Sequence, residues 1–423
     1  MKRRIFRSTP NLDQLLAEDT GQQISILSKK LGAGSEGSVF LASLVRANQS
    51  PLFFAAKNRA LRNMASEDTA EHERELHHVA ARPRPQSHRQ TGILPFLGTW
   101  NTSNTTNYQR IYHMMPLAEG ILNQAVSRIL VLKTTHKALY DCILSDFLMC
   151  MLNGLTQLAE SEIVHNDLST KNILLYKQRW VISDFGQAET YAEFSSPESR
   201  PRGSPLNIPP EILVQDKRFP LARDIWALGQ IINELLERPA TFHDTLPIGD
   251  IASHLQAKKT VYIQHRNEQR QVDNTMDDMM TTGRSPQVDH QPTLRERIGA
   301  QASTETCLLV LVTAMCDILP EKRPDLVTLK VACDHLQKLL PATLSKDNAL
   351  AEFYNSIQNE KLVVIQTESS PDIDEMSGDI EVEVANLSIN TSFRPSPSPT
   401  NAHQPSCQVI TAHPSSQTQL GIS

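Results

Sequence analysis

The 423-residue chain is poor in several features that would assign it to a familiar class. It has six cysteines (Cys142, Cys150, Cys307, Cys316, Cys333, Cys407) and no C-x-x-C pair among them. Neither a zinc framework nor a disulfide scaffold can therefore be read from the spacing. Most of them sit in apolar helical text such as Val312-Thr-Ala-Met-Cys316, which favours reduced thiols and a cytoplasmic protein. No run approaches the roughly eighteen apolar residues of a membrane span. The basic start, Met1-Lys-Arg-Arg-Ile-Phe-Arg7, is not followed by the apolar stretch of a secretory signal. Positive charge is not in excess either: 41 Lys and Arg stand against 47 Asp and Glu, a net charge of -6. Seven acids and a single arginine between Gln366 and Ser423 account for that balance, so no basic face of nucleic-acid size is expected.

What is present divides into parts of different character. Residues 1–25 read as a polar lead-in. From Ile26 the text is strand-like, turns through glycines and resumes at Ser38-Val-Phe-Leu-Ala42. After the polar break Asn48-Gln-Ser-Pro51 comes a second apolar run, Leu52-Phe-Phe-Ala-Ala56. Ser66–Ala81 reads as one helix, 82–92 as a loop, and Ile93–Trp100 and Tyr108–Met115 as two further strands around a polar turn. Between Thr135 and Glu160, Leu139, Ile143, Phe147, Met151, Leu155 and Leu158 recur at helical spacing and predict a long buried helix. Residues 242–300 read as a polar insertion, and helical text returns from Glu305 to about Leu340. The tail, 341–423, is acidic and then rich in Ser and Pro, as in Arg394-Pro-Ser-Pro-Ser-Pro-Thr400. Such composition buries too little apolar surface to offset chain entropy, so most of it is expected to be disordered. Its Pro-rich segment could dock a partner or be passive.

Four motifs carry chemistry, and their order matters more than any one of them. Gly32-Ala-Gly34-Ser-Glu-Gly37-Ser-Val39 fits G-x-G-x-x-G-x-V, in which glycines let a tight strand turn bring backbone N–H groups close to a triphosphate. Ala55-Ala-Lys57 closes the next strand with an ammonium suited to phosphates. That lysine needs a carboxylate from a helix. Glu71, Glu73 and Glu75 are all available, and Glu75 is favoured because Leu76 and Val79 provide apolar neighbours on one side. His165-Asn-Asp167-Leu-Ser-Thr-Lys-Asn172 places a base and a metal-binding amide on one loop, and Asp184-Phe-Gly186 follows twelve residues after Asn172.

These motifs, in this sequence, resemble the eukaryotic-like protein kinase family over residues 26–340, about three quarters of the chain. Gly203-Ser-Pro-Leu-Asn-Ile-Pro-Pro210-Glu211 is similar to the family's activation-segment close, Asp224-Ile-Trp-Ala-Leu-Gly229 to its buried central helix, and Arg323-Pro324 to the arginine that pairs with that glutamate. The resemblance implies an α+β bilobal fold, with a small antiparallel-sheet lobe carrying one helix (about 26–116) and a larger helical lobe (about 117–340). It implies ATP and Mg²⁺ as cofactors and protein substrates as partners. Carried over, Lys57 binds phosphates, Asp167 is the base and Lys171 neutralises the transferred phosphate. Asn172 and Asp184 hold the metal. Gly32, Ala33, Gly34, Ser35, Glu36, Gly37 and Val39 roof the nucleotide, Ala55 and Leu174 sandwich its adenine, and Met114 guards the back of the pocket.

The departures set further expectations. Asn166 replaces the arginine that commonly receives an activation-loop phosphate, which implies activity independent of such phosphorylation. Gly203-Ser204 favours Ser/Thr specificity, while Asn207 and Pro209 replace the usual tyrosine and alanine. Two other readings compete: a scaffolding pseudokinase, and a small-molecule kinase of aminoglycoside-phosphotransferase type. The former fits poorly with the presence of Lys57, Asp167, Asn172 and Asp184, and the latter lacks the G-S…P-P-E segment. The polar insertion, the H-N-D variant and the low-complexity tail are similar to kinases that intracellular bacterial pathogens inject into host cells.

Overall fold

A computed structural model describes residues 23–34, 37–46, 49–60, 64–82, 91–103, 109–197, 199, 202–203, 207–237, 251–281, 292–340 and 346–357. Three long strands begin it: β1 (Gln23–Gly34), β2 (Gly37–Arg46) and β3 (Gln49–Ala60). Helix α1 (Met64–Ala80) follows, then β4 (Gly98–Ser103) and β5 (Gln109–Pro116). The five strands form one antiparallel sheet in the order β1-β2-β3-β5-β4. Residues alternate across it, as strand geometry requires. Ala42, Leu44, Phe54, Ala56, Trp100, Tyr112 and Met114 share one buried cluster, while Ala55 and Met115 belong to another.

The second lobe is mostly helical. Short strands β6 (Gly120–Ile121), β8 (Ile173–Tyr176) and β9 (Arg179–Ile182) make one small sheet, and β7 (Ile163–Val164) pairs with β10 (Glu189–Thr190). Its main helices are α2 (Leu122–Thr135), α3 (Lys137–Glu160) and α5 (Pro220–Leu235), with a short α4 (Tyr191–Ser195) between. Then come α6 (Ile251–Thr281), α7 (Leu294–Gly299), α8 (Thr304–Met315), α9 (Leu326–Leu339) and α10 (Lys346–Ser356). Helix α3 is long and apolar enough, with a mean hydropathy of 1.4, to cross a membrane by length and composition. Two thirds of that window is instead buried inside the protein, where Ile143, Phe147, Met151 and Leu155 sit in the largest core cluster. The bilobal α+β architecture is the one expected.

Three local expectations change. The insertion around 242–300 contains a 31-residue helix, α6, which sequence inspection missed because it carries no continuous apolar stripe. Among its described side chains, His254, Lys258 and Tyr262 are buried. The fourth strand begins at Gly98, because Ile93 and Leu94 run alongside β9 instead, with Leu94 N–H donating to Ile182 O at 2.8 Å. Ordered structure also continues past Leu340. In α10, Phe353 and Tyr354 are buried with Ile357 in the main core. Tyr354 Oη donates to Asp146 at 2.6 Å and its ring meets Trp180 edge-on. The Pro-rich tail, its suggested docking role and residues 1–22 lie outside the described residues.

Candidate active site

The glycine turn between β1 and β2 brings the chain back over β3. Gly37 has φ +143°, and a Cβ there would fall 2.3 Å from Asn58 O, so only glycine can make this approach. Ser35 and Glu36 lie outside the described residues. Val39, Ala55, Leu94, Met115, Val181 and Leu174 belong to one apolar cluster beside the turn. Met114, chosen from sequence as the guard of this pocket, faces the opposite side of the sheet. It pairs with Ala56 and is fully buried among Ala42, Leu44 and Trp100. Its neighbour Met115, register partner of Ala55, takes the pocket position. Two consecutive methionines gave the sequence no means of choosing between faces.

Lys57 emerges from β3 beside this patch. Its ammonium donates to Glu73 Oε1 at 2.6 Å and to Asp184 Oδ1 at 2.6 Å. Glu75, the carboxylate favoured above, is exposed on the far side of α1, so that choice is corrected to Glu73. The buried stripe of α1 runs Ala70, Glu73, Leu76, His77, Ala80, at the spacing of one helix face. Burial works to raise the carboxyl of Asp184, but Lys57 and the Gly186 N–H outweigh it and hold that group below its ordinary range.

The loop after β7 carries the second half of the site. Asp224, at the start of α5 and buried, accepts the backbone N–H groups of His165 at 2.8 Å and Asn166 at 3.2 Å. Asn166 adopts φ 68° and Asp184 φ 67°, two left-handed residues flanking the cleft, a conformation that needs surrounding contacts to persist. His165 Nδ1 accepts from Asp167 N–H at 3.3 Å, which leaves Nε2 to donate to Ser183 O at 3.0 Å. Asn172 Nδ2 donates to Asp167 O at 2.8 Å and to its carboxylate at 3.0 Å, fixing that side chain. Lys171 is exposed at the mouth of the loop. The Asn172 carboxamide oxygen and the Asp184 carboxylate are hard donors that suit Mg²⁺. Among the described residues no group of three or more His, Cys, Asp or Glu side chains could hold a metal ion, so phosphate oxygens and water must complete any shell.

A column of rings links the two halves. His165 meets Phe185 at 5.2 Å, Phe185 stacks on His77 at 4.7 Å, and His77 meets Phe96 at 5.2 Å. His77 Nε2 bonds Leu94 O at 2.8 Å, and burial, the dominant influence, pushes its pKa down to about 4. Of the three histidines on α1, His72, His77 and His78, the Ala70–Ala80 stripe marks His77 as the buried one. His113, also buried, lies 3.9 Å from Glu73 Oε2 and is the register partner of Lys57.

Below the cleft, Asn166 Nδ2 donates to Glu189 Oε2 at 2.9 Å. Asn207 Nδ2 reaches Leu168 O at 3.3 Å, so the residue in the usual tyrosine position ties the segment to the loop. Arg323 forms a two-pronged pair with Glu211, at 2.6 and 2.8 Å, and lies over the Trp226 ring at 4.8 Å. Helix α6 contributes Lys258, whose ammonium donates to Ile208 O at 3.2 Å and whose pKa burial pushes down to about 8.

Comparison with known proteins gives a match to the protein kinase domain model over residues 26–336. The chain is 30% identical over 239 residues to the serine/threonine-protein kinase atg1 of Dictyostelium discoideum, covering 55% of this chain and 33% of that protein. It is 31% identical over 161 residues to the serine/threonine-protein kinase H1 homolog of Danio rerio, covering 37% and 35%. With the serine/threonine-protein kinase ULK3 of Xenopus laevis it shares 34% identity over 111 residues, covering 26% and 23%. The matches thus span about a third or less of these relatives.

Proposed function

Since the chain belongs to the protein kinase family, we propose that it transfers the γ-phosphate of ATP to serine or threonine hydroxyls of protein substrates. The observation that carries this reading is the joint placement of Lys57, Glu73 and Asp184 on one side of the cleft and Asp167 with Asn172 on the other. Lys57, held straight by Glu73, positions the phosphates beneath the glycine turn. Asp167 orients the attacking hydroxyl and receives its proton, with its own carboxylate set by Asn172. Lys171 reaches the transferred phosphate from the edge. Asn172 and Asp184 would hold Mg²⁺, which supplies neutralisation of the charge on the phosphates. The test is incubation with Mg²⁺ and γ-labelled ATP plus protein acceptors, followed by phosphoamino-acid analysis. Label on phosphotyrosine alone, or on no protein, contradicts the reading.

We also propose that activity does not require phosphorylation of the activation segment. Asn166 engages Glu189, so the position that would await a phosphate is already filled by a carboxylate of the chain. Thr190 caps α4 through a reciprocal pair of bonds with Glu193, so a clean test leaves it in place. Replacing Ser195, Ser196 and Ser199 with alanine should keep the rate; a large fall would sink the idea. Residence in the cytoplasm is proposed from the cysteine usage, and delivery into a host cell's cytoplasm from the resemblance to injected kinases. A translocation reporter fused to residues 366–423 tests the second.

A further inference from the structure

Glu189 is 3% exposed, and its carboxylate gathers three donors. Asn166 Nδ2 comes from the catalytic loop at 2.9 Å. Ser199 Oγ donates at 2.9 Å to one oxygen and lies 3.2 Å from the other, and Arg202 Nε stands 3.3 Å away. The backbone of the same segment is held by cations. Lys217 donates to the carbonyls of Ser196 and Ser199, and Arg223 to those of Asn166 and Arg202. One residue further on, Gly203 has φ +85°, and a Cβ there would stand 2.3 Å from Asn166 O and 3.2 Å from Asp167 Oδ1. Gly203 therefore presses directly on the loop that carries the proposed base.

We propose that Ser199 is a phosphorylation site and that its modification switches the proposed transfer activity off. The inference rests on the kinase reading above. In the modifying step Ser199 Oγ attacks the γ-phosphorus of ATP and gives its proton to the base of the modifying protein kinase. The bond from the γ-phosphorus to the bridging oxygen breaks, and ADP leaves. A hydroxyl that donates to Glu189 then becomes a group of roughly -1.5 to -2 charge with only acceptor oxygens. It cannot satisfy a buried carboxylate a hydrogen bond away, and the two repel. Arg202 and Lys217 can neutralise the new phosphate only by leaving Glu189 and the carbonyls they now hold. Either response dismantles the contacts that keep Gly203 against Asp167. The polarity is the reverse of the arginine-and-phosphate arrangement implied by the family resemblance, because here the fixed charge at this place is negative.

Phosphoserine encoded at position 199 provides the test, with the unmodified protein, phosphatase-treated protein and Ser199→Ala alongside. Phosphoserine should lower kcat/KM by about tenfold or more, equivalent to about 1.4 kcal/mol of transition-state stabilisation. Phosphatase should restore it, which excludes misfolding. Trypsin should cut after Arg202 faster in the phosphorylated protein. In a Glu189→Gln background the effect of phosphoserine should shrink severalfold. Equal or higher activity of the phosphorylated protein, with unchanged cleavage, overturns the proposal. If the unmodified protein transfers no phosphate, the kinase reading fails instead, and the trypsin rates still decide whether Ser199 governs the segment.

Discussion

Lys57 Nζ meets Glu73 Oε1 at 2.6 Å, with the two side chains only 7% and 4% exposed. Strand β3 and helix α1 are joined there by an ion pair sealed from solvent, and removing Glu73 leaves Lys57 to Asp184 alone. Glu73→Gln should lower kcat/KM for phosphate transfer by about a hundredfold, whereas Glu75→Gln should change it by less than about twofold. Steady-state kinetics of both variants on one protein acceptor checks this. Similar losses in the two would contradict the assignment.

The ring column predicts acid sensitivity. The folded pKa of His77 is pushed down to about 4 from an ordinary 6.5, so between those values the unfolded chain binds the extra proton. Its contribution is intact above pH 6.5 and is lost as pH falls toward 4, with a ceiling on the order of 3 kcal/mol. Denaturant midpoints at pH 7 and pH 4.5 should therefore fall further in wild type than in His77→Leu. Parallel losses in the two would contradict it.

Glu211 and Arg323 form a buried, two-pronged pair, and Arg323 also donates to the carbonyls of Asp317 at 2.9 Å and Ala222 at 2.9 Å. Glu211→Gln should destabilise the larger lobe by about 3–5 kcal/mol, since it leaves a guanidinium buried without its counter-charge. Thermal unfolding measures this directly; a drop below about 1 kcal/mol would show that the site admits water.

Much of this was legible in the sequence because each motif combines a conformational need with a chemical one. Lys57 and Asp184 come together, and Asn172 and Asp167 share one loop, in keeping with the order of the motifs. The misses have physical causes. Glu73 and His77 are polar residues on the buried stripe of α1, so a search for apolar neighbours pointed to the wrong glutamate. Met114 and Met115 are identical side chains on opposite sheet faces. Helix α6 is too polar around its circumference to show a period. Glu189 belongs to none of the motifs, and only the fold reveals that Asn166, Ser199 and Arg202 converge on it.

Helix α10 makes a boundary prediction. A chain ending at Leu340 loses the Tyr354–Asp146 bond, the Arg128 contact with Ser356 O at 2.5 Å and the burial of Phe353 and Ile357. It should melt several degrees lower, as expected for a loss of about 2–4 kcal/mol. A chain ending at Ile357 should melt with the full-length protein. Equal melting of all three would show that α10 adds nothing to the core.

Asp167 is the proposed base of ATP-dependent transfer to protein hydroxyls. The most direct measurement compares wild type with Asp167→Asn in Mg²⁺ and γ-labelled ATP, mapping labelled sites by mass spectrometry. Wild type should place phosphoserine and phosphothreonine on protein, and the variant should show a fall of about a thousandfold or more. Equal labelling by the variant, label confined to small molecules, or none from wild type would contradict it.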